Sequence, residues 1–222
     1  MYPFNNSKGI IFGATGFLGE RLAYDLSQKG CTLILHGKSV SKLKKLDNKI
    51  KKLNISPTLI HGNLNNANFY KDLYNSINSR FNQIDFIFNL VGKFPRLSPL
   101  TNFSHAEWTE LIEININSHW RIIKELEPLL RKSSNPKIVF LDNKNISNGK
   151  PFYNIFSISK AMVKILAKIY NLENNRLNIE TKVIEIPDLK NGITLVTQGN
   201  YKKNLDISKI IKKIINDSFD NK

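Results

Sequence analysis

The chain has 222 residues, 41% hydrophobic and 23% charged, the profile of one ordinary globular domain that buries roughly 70–75% of its unfolded surface without staples. One cysteine, four scattered histidines, no run near the ~18 apolar residues of a membrane span and no charged-then-apolar leader argue against disulfide, metal and membrane classes; they predict a cytoplasmic protein with no metal and no membrane partner. The net charge of +15 rests on 27 lysines and six arginines, with asparagine and isoleucine about as abundant, so a bias toward A/T-rich codons explains it and a nucleic-acid partner is disfavoured.

In chain order, Ser7 to Phe12 is a short apolar run that reads as a buried strand. Phe17, Leu18, Leu22 and Leu26 then hold a helical period over Phe17 to Lys29, which Gly30 stops. Cys31 to Leu35 is a second strand, Ser39 to Leu53 a lysine-rich helix, Thr58 to His61 a third strand and Asn66 to Arg80 a helix. Ile84 to Leu90 is a nearly continuous apolar strand, as in parallel sheets covered on both faces. Ser104 to Glu107 has capping-box spacing and opens one long helix to Lys132. Lys137 to Leu141 is the fifth strand, Asn154 to Asn171 a helix and Thr181 to Ile186 the sixth strand. In the final helix, residues 207–218, isoleucines keep the apolar period while Lys209, Lys212 and Lys213 fall between them. The alternation predicts a single doubly wound, Rossmann-type α/β domain over 1–222, with a mostly parallel sheet of about six strands.

Between the first strand and the first helix stands Gly13-Ala14-Thr15-Gly16-Phe17-Leu18-Gly19. A dinucleotide loop needs glycine for a tight turn, for approach of the pyrophosphate and for close helix–strand packing, and the helix N-terminus then meets the phosphates. At the end of the second strand, His36-Gly37-Lys38-Ser39 offers no carboxylate for a ribose 2′-hydroxyl, and Lys38 is placed for a 2′-phosphate. The expected cofactor is NADP(H), with NAD(H) the alternative.

The glycine loop, Asn89-Leu90-Val91-Gly92 after the fourth strand, Asn115, and Lys160 followed by Ala161 together resemble the short-chain dehydrogenase/reductase family over about Lys8 to Pro187. The stretches Leu97 to Leu100 and Leu126 to Lys132 are similar to small bacterial oxidoreductases of that family, and the glycine spacing is similar to its extended members. The resemblance implies cofactor contacts from Gly13, Thr15, Gly16, Phe17, Leu18, Gly19, Lys38, Asn63, Leu64, Asn89, Val91, Gly92, Lys160 and Pro187. It also implies a homodimer or homotetramer, built on the helices of Trp108–Lys132 and Asn154–Asn171.

The departures bear on catalysis. Family members use a tyrosine as general acid/base four residues before the lysine, a serine on the substrate carbonyl, and an asparagine that holds a relay water. Asn115 and Lys160 match, but the tyrosine position is Phe156 and the serine position is Asn143. A phenyl ring has no proton to give. Asn63 replaces an aspartate, Asp188 and Gly192 replace a glycine and a threonine, and the substrate loop shrinks to about 188–206.

The expectation is therefore an NADP(H)-binding member whose carbonyl/alcohol chemistry is impaired or lost. Two alternatives stand beside it: an active reductase with another proton donor, and a basic module for nucleic acid or an acidic partner. Tyr153 and Asp142 are the candidate donors; read plainly, the first is packing or surface and the second a solvated carboxylate at a strand end. Trp108, Trp120 and Phe140 read as core, while His61 and His119 have no partner that the sequence can show.

Overall fold

The computed structural model describes residues 4–187 and 206–220. Six strands, β1 (Lys8–Phe12), β2 (Thr32–Gly37), β3 (Thr58–His61), β4 (Phe86–Asn89), β5 (Lys137–Asp142) and β6 (Glu180–Glu185), pair in the order β3-β2-β1-β4-β5-β6. Every pairing is parallel. This is the doubly wound sheet that the alternation of strands and helices predicts.

Strand residues alternate between two cores. Ile11, Phe86, Phe88 and Val139 face helices α1 (Phe17–Gln28), α2 (Val40–Lys51) and α8 (Ile207–Phe219), where Leu22, Leu26, Ile211 and Ile214 are buried. Ile10, Phe12, Ile87 and Phe140 face α3 (Ala67–Asn78), α5 (Ser118–Leu130) and α7 (Asn154–Glu173), meeting Leu73, Ile122, Leu126 and Val163. Each such side chain contributes about 1.5–3 kcal/mol on burial. The lysines of α2 and α8 lie on exposed faces beside these buried stripes.

The long helix expected from Ser104 to Lys132 forms over 105–130, but not as one regular α-helix. Ser104 and Glu107 form the expected capping box on α4 (His105–Ile112), but Glu113–Asn117 wind as one π-helical turn before α5. An extra residue in one turn shifts the apolar stripe and often marks a functional site. Within this turn Asn115 is buried, and its side chain brackets the Lys93 backbone: Oδ1 accepts from Lys93 N at 2.7 Å and Nδ2 donates to Lys93 O at 2.9 Å. A four-residue helix, α6 (Lys144–Ser147), follows β5 where only a loop is expected. Phe140 is core, but Trp108 is only partly buried and Trp120 is half exposed, because the face of α5 that carries it has no partner within the described chain. The segment 188–205, most of the expected substrate loop, lies outside the described residues.

Candidate functional site

Two groups of residues meet at the carboxyl ends of the strands. The first lies between β1 and β4, where the strand order reverses. Gly13 leaves β1 with φ +79°, a conformation strained for any other residue. At Gly19 a Cβ would stand 2.2 Å from the Gly13 carbonyl oxygen, so only glycine lets α1 close on the turn. Gly16 precedes α1 without a side-chain cap, which leaves the first turn, Phe17 to Gly19, with its N–H groups uncapped by a side chain and its positive dipole end at the crevice. Thr15 packs against Gly37 at the end of β2, where a Cβ would meet its Oγ1 at 2.9 Å.

Beyond β2, Lys38 is exposed and its carbonyl accepts from His61 Nε2 at 3.1 Å. Ser39 caps α2 through Lys42 N. His36, buried behind them, donates from Nε2 to the Gly62 carbonyl at 3.1 Å, and burial pushes its imidazole down to about 4. Asn63 is exposed with its Oδ1 on Asn65 N, and Leu64 is buried beneath it, its carbonyl accepting from Tyr70 at 2.8 Å. Asn89 is buried at the end of β4: Oδ1 accepts from Val91 N at 3.2 Å, while Nδ2 has no hydrogen-bond partner among the described residues. An uncapped helix start, a turn that a Cβ would block and an orphaned buried donor fit a dinucleotide laid across this crevice.

The second group lines a pocket of about 170 Å³ that includes Gly92, Phe94, Asn143, Phe156, Lys160 and Pro187. Phe156 is buried, with the Phe94 ring set edge-on 5.0 Å away and Lys160 Nζ 5.5 Å from its centroid. Lys160 donates to the Leu141 carbonyl at 3.0 Å, and burial lowers its ammonium pKa against the opposing charge of Asp142. Asn143 is buried, and its Oδ1 is tied to Asn145 N at 3.1 Å as the cap of α6. Asn115 stands beside this pocket, its Oδ1 3.9 Å from where a Cβ on Gly92 would be.

Of the two alternative proton donors, Tyr153 is the packing residue expected and Asp142 differs from the expectation. Tyr153 is buried among Ile146, Phe94 and Phe156 and is not part of the pocket lining, which is packing. Asp142 is no solvated carboxylate: it is 2% exposed, and its Oδ2 accepts from Ser147 Oγ at 2.9 Å and faces Lys164 Nζ at 3.3 Å. This ion pair was not legible, although Lys160 and Lys164 stand four apart on one helix and so share a face. Phe94, which pins Phe156, was missed as well; it comes from an irregular loop with no periodic signal. His119 stacks under Phe140 at 5.3 Å and is held neutral by burial, down to about 3. Among the described residues no group of three or more His, Cys, Asp or Glu could hold a metal, and no helix is long and apolar enough to cross a membrane.

Residues 9–199 match the family model described as short chain dehydrogenase. An "uncharacterized oxidoreductase" of Staphylococcus epidermidis is 21% identical over 208 residues, covering 93% of this chain and 88% of that one. Nodulation protein G of a Rhizobium species is 26% identical over 161 residues, 72% of this chain and 64% of its own length. Among solved structures, a putative short chain dehydrogenase from Pseudomonas syringae superposes with a TM-score of 0.88 at 19% identity, over 95% of this chain and 88% of that one. A Shigella flexneri short chain dehydrogenase complexed with NADP gives 0.78 at 20% identity, over 83% of this chain and 79% of that one. A family match across most of the chain, on a sheet of this order and a glycine turn of this geometry, makes the protein a member of the short-chain dehydrogenase/reductase family.

Proposed function

We propose that this member binds NADP(H) and that its standard carbonyl/alcohol chemistry is impaired or lost. One observation carries the reading: the pocket presents the Phe156 ring, held by Phe94, where the family places its proton-donating tyrosine. When bound, a reduced nicotinamide supplies a hydride. The chain's part would be to protonate the resulting alkoxide, and Phe156 has no proton to transfer. Asn143 spends its Oδ1 on capping α6, so it does not stand in for a serine hydroxyl that both donates and accepts.

The binding side of the reading assigns the pyrophosphate to Gly13, Thr15, Gly16, Phe17, Leu18 and Gly19, and the 2′-phosphate to Lys38. Asn63 and Leu64 would border the adenine, Asn89, Val91 and Gly92 the ribose side of the crevice, and Pro187 the pocket wall. Lys160 would grip the nicotinamide ribose, and Asn115 would fix the loop that carries Gly92 and Lys93. The NADP complex of the Shigella flexneri neighbour supports the choice of dinucleotide. Calorimetry tests it: NADPH is expected to bind about 10–100-fold tighter than NADH, and Lys38→Ala to erase the difference. Equal affinities for the two in the wild type would contradict it.

A homodimer is the second part of the proposal. Trp120, Met162, Ile165, Ile169 and Leu172, between 45% and 64% exposed, stand along α5 and α7. They are five of the nine exposed large apolar side chains among the described residues, and a patch of that kind marks an interface rather than chance. The occupant proposed is a second copy of the same face, as a two-fold axis requires.

A further inference from the structure

The ends of β2 and β3 are laced together by two imidazoles, neither of which the proposed function uses. His36, set against the rings of Phe12 at 5.2 Å and Phe69 at 5.3 Å, donates from Nε2 to the Gly62 carbonyl of the chain leaving β3. In the opposite direction, His61 at the end of β3 has its Nε2 3.1 Å from the carbonyl of Lys38, just past β2. A carbonyl oxygen only accepts, so His61 Nε2 carries the proton. Gly37 and His61 are register partners, and Gly62 N donates to the Gly37 carbonyl at 3.3 Å. His61 therefore reaches Lys38 from an edge that is itself held.

Lys38 needs that bond because of the residue before it. A Cβ on Gly37 would stand 2.8 Å from Thr15 Cγ2 and 3.2 Å from Leu43 Cγ, so the packing of the glycine turn on β2 favours glycine there. Glycine restricts its own backbone less than any other residue, and Lys38 hangs from that joint. On its far side Ser39 Oγ accepts from Lys42 N at 3.4 Å and lies 3.1 Å from Ser41 Oγ. With these hydroxyls engaged at the start of α2, the charge of the turn is the Lys38 ammonium. It forms no ion pair among the described residues.

We propose that His61 is a positioning residue for the dinucleotide: by holding the Lys38 carbonyl it aims the Lys38 ammonium at the adenosine 2′-phosphate. This rests on the dinucleotide reading above and extends it to a residue that acts only through another. A lysine stem loses much rotamer freedom when it pairs, and a backbone fixed beforehand leaves less to lose on binding. NADH carries a hydroxyl where NADPH carries the phosphate, so its affinity is indifferent to where the ammonium stands. The effect of His61 therefore falls on one dinucleotide and spares the other.

The test is calorimetry of the intact chain with NADPH and with NADH. His61→Ala is expected to weaken NADPH about 3–10-fold and to leave NADH within about twofold. His61→Gln, whose amide N–H can reach the same carbonyl, is expected to recover most of the loss. In a Lys38→Ala background His61→Ala should cost nothing further, because the two residues act as one. His61 is exposed, so neither replacement opens a cavity in the core. An undiminished NADPH preference in His61→Ala overturns this inference and leaves the dinucleotide reading intact. An equal loss for both dinucleotides overturns it too, and so does a loss that persists without Lys38, which would put the imidazole itself on the phosphate. A wild type that binds NADPH and NADH equally overturns the dinucleotide reading and this inference with it.

Discussion

The turn after β1 and the pocket at the end of β5 face one crevice and rest on equally buried strands, yet they differ in what they are made of. The first recognises its ligand with backbone: N–H groups, a dipole and the space that Gly13 and Gly19 leave empty. The second would act through side chains, and two of those, Phe156 and Asn143, are not the groups that proton transfer and carbonyl binding need. A backbone site persists so long as its glycines do. A side-chain site is lost by one substitution that packs well, and Phe156 packs well, buried against Phe94 and Tyr153. Binding and chemistry are thus separable in this fold, and the function we propose divides them along the line between backbone and side chain.

The largest effect should come from filling the space on the binding side. Gly19→Val places side-chain atoms where the Gly13 carbonyl stands, and is expected to cost about 3 kcal/mol of stability and to abolish NADPH binding. Denaturant unfolding and calorimetry on one preparation check both, and a variant that binds like wild type would break the backbone half of the comparison.

Each region also hides an imidazole that burial keeps neutral, His36 at about 4 and His119 at about 3, against an ordinary value of 6.5. The unfolded chain binds these protons more readily than the folded one, so stability is full above about pH 6.5. It falls as the pH drops toward those lower values, by on the order of 3 kcal/mol for each residue. His36→Gln and His119→Phe should each flatten the acid limb of the stability curve, read by urea unfolding between pH 4 and 7. A wild-type curve flat across that range would contradict both burials.

A smaller effect separates the outer face from the crevice. Ile165→Asp on α7 is expected to convert a dimer of the wild type to a monomer by light scattering at micromolar concentration, with NADPH affinity unchanged. A wild type that is already monomeric would remove the second copy from the account.

Much of this architecture could be read from residue order. Strands such as Phe86–Asn89 announce themselves because a strand buried on both faces is an apolar run, and α8 because its isoleucines keep the helical period. The π-helical turn at Glu113–Asn117 could not be read, because isoleucines continue through it and Asn115 within it meets Lys93, 22 residues away in sequence. The glycine turn was legible because its physics is local. The burial of Asp142 was not, since a carboxylate at a strand end is ordinarily solvated and only the tertiary pairing with Lys164 and Ser147 makes it otherwise. Trp120 misled for the converse reason: a large apolar side chain in a helical period reads as core, yet here it is half exposed.

The central claim is that the crevice binds NADPH and the pocket lacks the groups to use it. It is tested most directly by following NADPH consumption at saturating cofactor with a panel of aldehydes, ketones and quinones, wild type beside the double variant Phe156→Tyr, Asn143→Ser. The account predicts no wild-type consumption above the enzyme-free blank, and a rate at least about 10²-fold higher once the hydroxyls are restored. Robust turnover by the wild type with any of these carbonyls would contradict it.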